Sequence, residues 1–216
     1  MARRPKPPAG TLVLLVRHGT TPTTGSTLPG RAKGLHLADT GRAQAEAVAA
    51  RLAPLAERVD AVYASPLERT RETAAPIGRS LGHKVTIERG LLECDFGDWT
   101  GAKLSDLRKL SEWTTVQRYP SGFRFPAGES FTEMQTRITS ALARLVAAHP
   151  GRTIVAVSHA DPIKAAVADA MGTHLDLFQR IVVSPCSVTA IWYGHDGPAV
   201  LCVNSIGDDL SGLGLS

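Results

Sequence analysis

Cysteine is scarce in this chain. Cys94, Cys186 and Cys202 are odd in number and widely spaced, and no Cys-x-x-Cys pair occurs. That argues against a disulfide framework or a cysteine zinc site, and for a reducing, cytoplasmic setting. Aromatic residues make up 5% of the chain, and no dense Lys/Arg run is interleaved with them. Nucleic acid is therefore not an expected partner. No apolar run is long enough for a signal peptide or a membrane span, so no membrane role is expected. Carboxylates do not cluster as a divalent cation would require, so neither metal nor cofactor is expected. Repeats and low-complexity tracts are missing as well.

What remains is an ordinary globular composition. The 216 residues are 43% hydrophobic and 20% charged, with a formal net charge of +4. This length suits one α/β domain with a sizeable core. Residues 1–10, basic and proline-rich, read as a flexible arm. Residues 206–216, with Gly207, Gly212 and Gly214, read as a loose tail. Between them, strands are expected over 11–16, 60–64, 84–87, 153–157, 181–183, 187–193 and 199–203. Helices are expected over about 40–55, from Pro66 to Leu81, weakly over 104–118, over 128–148, and from about 160 to Met171. Gly194-His195-Asp196-Gly197 reads as a hairpin turn. Strands alternating with helices imply an α/β fold: a three-layer α/β/α sandwich with a mostly parallel, mixed central sheet.

Several strands end in polar side chains that a buried strand does not need. The first delivers Arg17 and His18 into Gly19. The second leads to Ser65-Pro66, with Arg69 in the first turn of the next helix. The fourth ends in Ser158-His159. The loop Leu92 to Gly101 adds Glu93, with Asp95 and Asp98 as neighbouring carboxylates. Ligands bind at the carboxyl ends of strands in open α/β sheets. Two histidines, two arginines and a carboxylate at one edge suggest chemistry on an anion.

Five segments in order carry a resemblance. They are Val16-Arg17-His18-Gly19, the stretch Ser65 to Ala74 (Ser-Pro-Leu-Glu-Arg-Thr-Arg-Glu-Thr-Ala), Leu92 to Gly101 (Leu-Glu-Cys-Asp-Phe-Gly-Asp-Trp-Thr-Gly), Ala127-Gly128-Glu129-Ser130, and Val157-Ser158-His159-Ala160. Together they resemble the histidine phosphatase superfamily, in its phosphoglycerate-mutase-like branch, over about residues 11–205. The resemblance implies that His18 becomes phosphorylated, that Arg17, Arg69 and His159 form the phosphate pocket, and that Glu93 is the proton donor. Arginine gives planar, bidentate contacts to phosphate. With a protonated His159, the two arginines would take the place of a metal. A neutral imidazole nitrogen attacks phosphorus when its other nitrogen is held by a hydrogen bond. Glu93 must hold a proton amid cations, so desolvation has to raise its pKa, with Phe96 and Trp99 as the expected apolar neighbours.

Departures from the family pattern bear on the substrate. Thr20 stands where Glu is common, Thr24 where a phosphate-contacting Asn is common, and Ala160 where Gly follows the second histidine. Thr24, Arg31 and Ala160 are expected to contact substrate, within loops 20–37 and 99–127. The second loop reads as a small lid or insertion carrying Trp113, Tyr119, Arg124 and Phe125. Lys164 reads as a surface lysine, and Cys94 as a small buried apolar residue. His36, His83, His149, His174 and His195 read as surface or loop residues. With a short stretch between Glu93 and Gly128, the chain resembles the phosphatases of that branch more than its mutases, which implies a metal-independent phosphomonoesterase acting on a small-molecule phosphate ester, as monomer or homodimer. A phosphomutase and a non-catalytic phospho-ligand sensor stand as alternatives.

Overall fold

The computed structural model describes residues 10–207 and Leu210. Strand β1 (Thr11–Arg17) is buried at every position but its last, because both faces of its sheet are covered. Leu12, Leu14 and Val16 join one apolar cluster, while Val13 and Leu15 join another on the opposite face. This alternation is the period-2 rule for a strand. It divides the molecule into three layers.

The elements that follow are α1 (Asp39–Leu52), β2 (Val59–Ala64), α2 (Glu68–Leu81), β3 (Val85–Ile87), two short helices α3 (Leu104–Leu107) and α4 (Glu112–Arg118), α5 (Phe131–Ala148), β4 (Thr153–Ser158), α6 (Ala160–Ala170), β5 (Val188–Gly194) and β6 (Gly197–Ser205). The sheet order is β3-β2-β4-β1-β5-β6. Strands β1 to β4 run parallel, and β5 and β6 form an antiparallel hairpin at one edge. The mostly parallel, mixed sheet and the α/β class are as expected. Helices α1 and α2 cover one face through Val48, Leu52, Ala74 and Ile77. Helices α5 and α6 cover the other through Phe131, Met134, Ile138 and Ile163. Ser130 caps α5: its hydroxyl accepts from Glu133 N at 3.2 Å, and the Glu133 carboxylate accepts from Ser130 N at 2.9 Å.

This topology determines where a ligand can sit. The chain leaves β1 toward α1 on one face and leaves the adjacent β4 toward α6 on the other. The crevice beyond their carboxyl ends is a topological switch point. Register brings the polar ends level: Arg17 lies opposite Ser158, and Ala64 opposite Val157. The amide of His18 donates to Ser158 O at 3.0 Å, and that of Ser65 to Val157 O at 3.0 Å.

Three expectations need correcting. Residues 181–183 form no strand. The β1 edge is already filled by β5, Pro185 follows, and Val183 O accepts from the Arg17 side chain at 2.6 Å instead. The weak helical region 104–118 divides into α3 and α4, and α2 begins at Glu68, after Pro66. Of the expected arm over 1–10, only Gly10 lies within the described residues. Of the expected tail over 206–216, Ile206, Gly207 and Leu210 do, and Leu210 is buried in the cluster beneath α1 and α2. Among the described residues, no helix is long and apolar enough to cross a membrane.

The turn after His18 depends on glycine. A Cβ on Gly19 would lie 2.5 Å from Gly41 O, and one on Gly41 would lie 2.0 Å from Thr20 O. The loop and the first turn of α1 thus touch backbone to backbone. In an open helix, Gly→Ala stabilises by up to about 1 kcal/mol. Gly41→Ala should instead destabilise, by about 1–3 kcal/mol in urea unfolding, as overpacked sites do. A gain in stability would show that this contact is not tight.

Candidate active site

Four elements contribute the polar groups. Arg17 and His18 come from β1, Arg69 from the second residue of α2, and His159 from the N-cap of α6. Glu93 comes from the loop between β3 and α3. A cavity of about 410 Å³ opens here, and Arg17, His18, Thr24, Glu93 and Ala160 are among its walls. Arg69 and His159 are fully buried. A larger groove of about 670 Å³, lined by His36, Glu68 and Glu72, lies apart from these groups.

His18 Nδ1 lies 2.8 Å from Gly19 O. Since a carbonyl only accepts, Nδ1 carries the proton and Nε2 is left with its lone pair. The rings of His18 and His159 meet edge to face at 5.2 Å. His159 Nε2 pairs with Ser65 Oγ at 2.8 Å. Arg17 Nη1 holds Val183 O, and Arg69 Nη2 holds Gly30 O at 2.7 Å. The remaining polar atoms here are notable: Arg17 Nε, Arg69 Nε and Nη1, and His159 Nδ1 are buried with no hydrogen-bond partner. Groups of this kind are rare in folded proteins and call for an explanation.

The electrostatics follow from burial. Desolvation first, then the charges of Arg69 and Arg17, push His18 down to about 3. His159 is likewise held well below its usual value by burial, Arg69 and His18. Against the expectation of a protonated His159, burial and the neighbouring guanidiniums favour its neutral form. Glu93 moves the other way, up to about 7, through burial first and then the nearby Asp161 carboxylate, against the opposing pull of Arg69 and Arg17. Its Oε1 accepts from Cys94 N at 2.9 Å. Phe96 shares its cavity, whereas Trp99 stacks on Trp113 further away, with ring centroids 6.4 Å apart. Asp161 was missed in the sequence reading; its signal was the i,i+3 spacing to Lys164.

Other expected residues fall differently. Thr24 lines the cavity, but its hydroxyl also closes a turn, accepting from Thr21 N at 2.9 Å. Arg31 is absent from the cavity wall. Its guanidinium holds Glu93 O at 2.9 Å, Asp95 at 3.2 Å and Glu129 at 2.9 Å. Arg137 of α5 joins it, reaching Leu92 O at 2.8 Å, Glu93 O at 3.2 Å and both oxygens of Glu129. Two guanidiniums thus converge on the carbonyl of Glu93, with Glu129 between them as counter-ion. Asp95 belongs to this network and Asp98 is exposed, so of the three neighbouring carboxylates Glu93 is the one in the cavity. Lys164, expected on the surface, lines the cavity with its side chain 17% exposed. Cys94 is fully buried, as expected. His149 ends α5, held between Tyr63 Oη and Asp60. Tyr119 is exposed, and Arg124 pairs with Glu133 on the surface.

A doubly covered α/β sheet with two histidines and two arginines at its switch point has the architecture of the phosphoglycerate-mutase-like fold. The family comparison makes this definite: residues 13–206 match the model of the histidine phosphatase superfamily (branch 1), and the chain belongs to that family. It is 30% identical to phosphoserine phosphatase 1 of Hydrogenobacter thermophilus over 188 residues, covering 81% of this chain and 84% of that protein. It is 29% identical to a bifunctional protein of Mycobacterium tuberculosis, covering 91% of this chain and 54% of that one. The chain therefore spans about half the length of some curated relatives it matches. In fold it resembles a mycobacterial glucosyl-3-phosphoglycerate phosphatase, with a TM-score of 0.80, 24% identity, and coverage of 91% and 99% of the two chains.

The opposed shifts of His18 and Glu93 predict a measurable pH dependence. His18 binds a proton near 6.5 when unfolded and near 3 when folded. Its contribution to stability is present at neutral pH and is lost as pH falls below the unfolded value, by about 2 kcal/mol at pH 5. Glu93 has a raised folded value, so its contribution is present at low pH and is lost as pH rises through about 7. On going from about pH 7 to about pH 5 in urea unfolding, His18→Asn should lose less stability than wild type and Glu93→Gln should lose more. Equal losses in all three proteins would contradict these assignments.

Proposed function

We propose that the chain is a phosphomonoesterase that works through a phosphohistidine on His18 and needs no metal ion. The observation that carries this reading is the set of buried, unpartnered N–H groups of Arg17 and Arg69 around a neutral His18. A phosphoryl group supplies the oxygens and the negative charge those groups lack. The phosphatase names of the relatives point the same way.

In the first step the Nε2 lone pair of His18 forms a bond to phosphorus as the phosphorus–oxygen ester bond breaks. Protonated Glu93 gives its proton to the leaving oxygen, releasing the alcohol. In the second step the Glu93 carboxylate takes a proton from water, whose oxygen bonds to phosphorus. The nitrogen–phosphorus bond breaks, inorganic phosphate leaves, and His18 is neutral again. A raised carboxyl pKa suits a group that must act first as acid and then as base. Arg17 and Arg69 meet the charge on the equatorial oxygens. With Ser65 Oγ–H donating to His159 Nε2, the ring proton sits on Nδ1 and faces the same charge. Thr24 and the amide of Ala160 at the start of α6 are further contacts for phosphate. Arg31 and Arg137 are positioning residues that hold the carbonyl of Glu93, and Glu129 positions both by pairing with their guanidiniums.

Phosphate release from p-nitrophenyl phosphate and from glycerol 3-phosphate, in excess chelator, tests the reading. Wild type should hydrolyse both, and His18→Ala should lose at least about 10³-fold on both. Arg137→Gln should lose about 10²-fold on glycerol 3-phosphate, which needs a proton donor. It should lose far less on p-nitrophenyl phosphate, whose leaving group needs none. Full activity in His18→Ala, loss of activity with chelator, or isomerisation of phosphoglycerate without hydrolysis would contradict the proposal.

A further inference from the structure

The cavity over His18 continues beyond the phosphate-binding groups. A second cavity of about 340 Å³ adjoins it, and Leu28, Phe96, Leu104, Asp161, Lys164 and Gln179 line both. Its other walls are apolar where Trp113 and Val116 of α4 meet Phe125 and Phe131, and polar at the exposed Arg108 and at Gln117. Trp113 is half-buried and braced against Trp99, the planes 24° apart. A volume of this order accommodates a small organic group, and flat aromatic walls favour a flat occupant.

The boundary shared by the two cavities is polar but close to neutral, with one cation and one carboxylate. Lys164 Nζ lies 3.3 Å from Asp161 Oδ1 and 3.2 Å from Gln179 Oε1. Because Gln179 accepts from Lys164 through its oxygen, its amide N–H groups remain able to donate. Asp161 occupies the first turn of α6, where a helix favours an anion. A second acid on the substrate would have to displace or confront that carboxylate. A hydroxyl or amide meets no such opposition.

We propose that the second cavity binds the alcohol part of the substrate, and that this alcohol carries uncharged polar atoms rather than an acid near the ester oxygen, and an apolar, planar end. The inference rests on the phosphomonoesterase reading and deepens it. It assigns discrimination to Trp113 and Leu104 for the apolar end, and to Asp161 with Lys164 against a second acid.

Three primary-alkyl esters keep the leaving-group chemistry alike: 2-(2-naphthyl)ethyl phosphate, glycerol 3-phosphate and 3-phosphoglycerate. Their kcat/KM values should fall in that order, with about tenfold or more between the first two, as burial of an aromatic end gives. Trp113→Ala, with Leu104→Asn as a second variant should the first fold poorly, should bring the naphthylethyl-to-glycerol ratio close to one. Asp161→Asn should raise 3-phosphoglycerate relative to glycerol 3-phosphate. A preference for 3-phosphoglycerate, or a ratio unmoved by Trp113→Ala and Leu104→Asn, overturns the inference. Affinities of the matching non-hydrolysable phosphonates separate the two levels of the argument. The same preference in binding without any hydrolysis overturns the phosphomonoesterase reading and leaves the subsite standing. Equal phosphonate affinities overturn the subsite.

Discussion

Burying a guanidinium is unfavourable unless an anion or a full set of acceptors meets it. At the carboxyl edge of the sheet Arg69 is fully buried and Arg17 half-buried, each bonded to one backbone carbonyl and each with further buried N–H groups unpartnered. The nearest carboxylate, Glu93, is itself pushed toward its neutral form. Much else at this edge follows from that unbalanced charge. The two imidazoles between the arginines stay neutral, which leaves one of them a free lone pair. An anion bound there completes the pairing that the protein alone leaves open.

The carboxyl group that must exchange a proton is held by a separate device. Burial and the Asp161 charge raise its pKa, and neither requires displacement of the arginines. Its position comes from the other side, where Arg31 and Arg137 converge on its carbonyl and share Glu129. This network reaches from α5 to the β3–α3 loop, so a helix that lines no part of the cavity over His18 positions the acid. Asp161 thus connects the reacting centre with the boundary of the second cavity, where it pairs with Lys164.

The parts of this arrangement that follow from periodicity were legible in the sequence. Leu12 to Val16 had to be a buried strand, and its polar end had to lie at an edge. The order of motifs relates His18, Arg69, Glu93 and His159 to one another by sequence alone. What stayed hidden depended on the partners chosen by long side chains. Arg31 has the right charge and loop for phosphate, yet Glu129 and the Glu93 carbonyl take its guanidinium. Lys164 follows His159 by about a helical turn, and only the packing of α6 against Phe178 and Gln179 shows that it turns inward. Residue type suggests a cation at His159, whereas burial beside Arg69 disfavours one. The apolar run at 181–183 resembles a strand by composition, but the sheet had no open edge beside β1 to receive it.

The central claim is that unbalanced buried charge prepares His18 to accept a phosphoryl group. Rapid quenching of the enzyme with a phosphate ester, followed by peptide mapping under alkaline conditions, tests it directly. The account predicts an acid-labile, base-stable phosphoryl group on His18, absent from His18→Ala and accumulating in Glu93→Gln when a good leaving group is used. Hydrolysis with no trapped phosphoenzyme, or a phosphoryl group on His159, would contradict it.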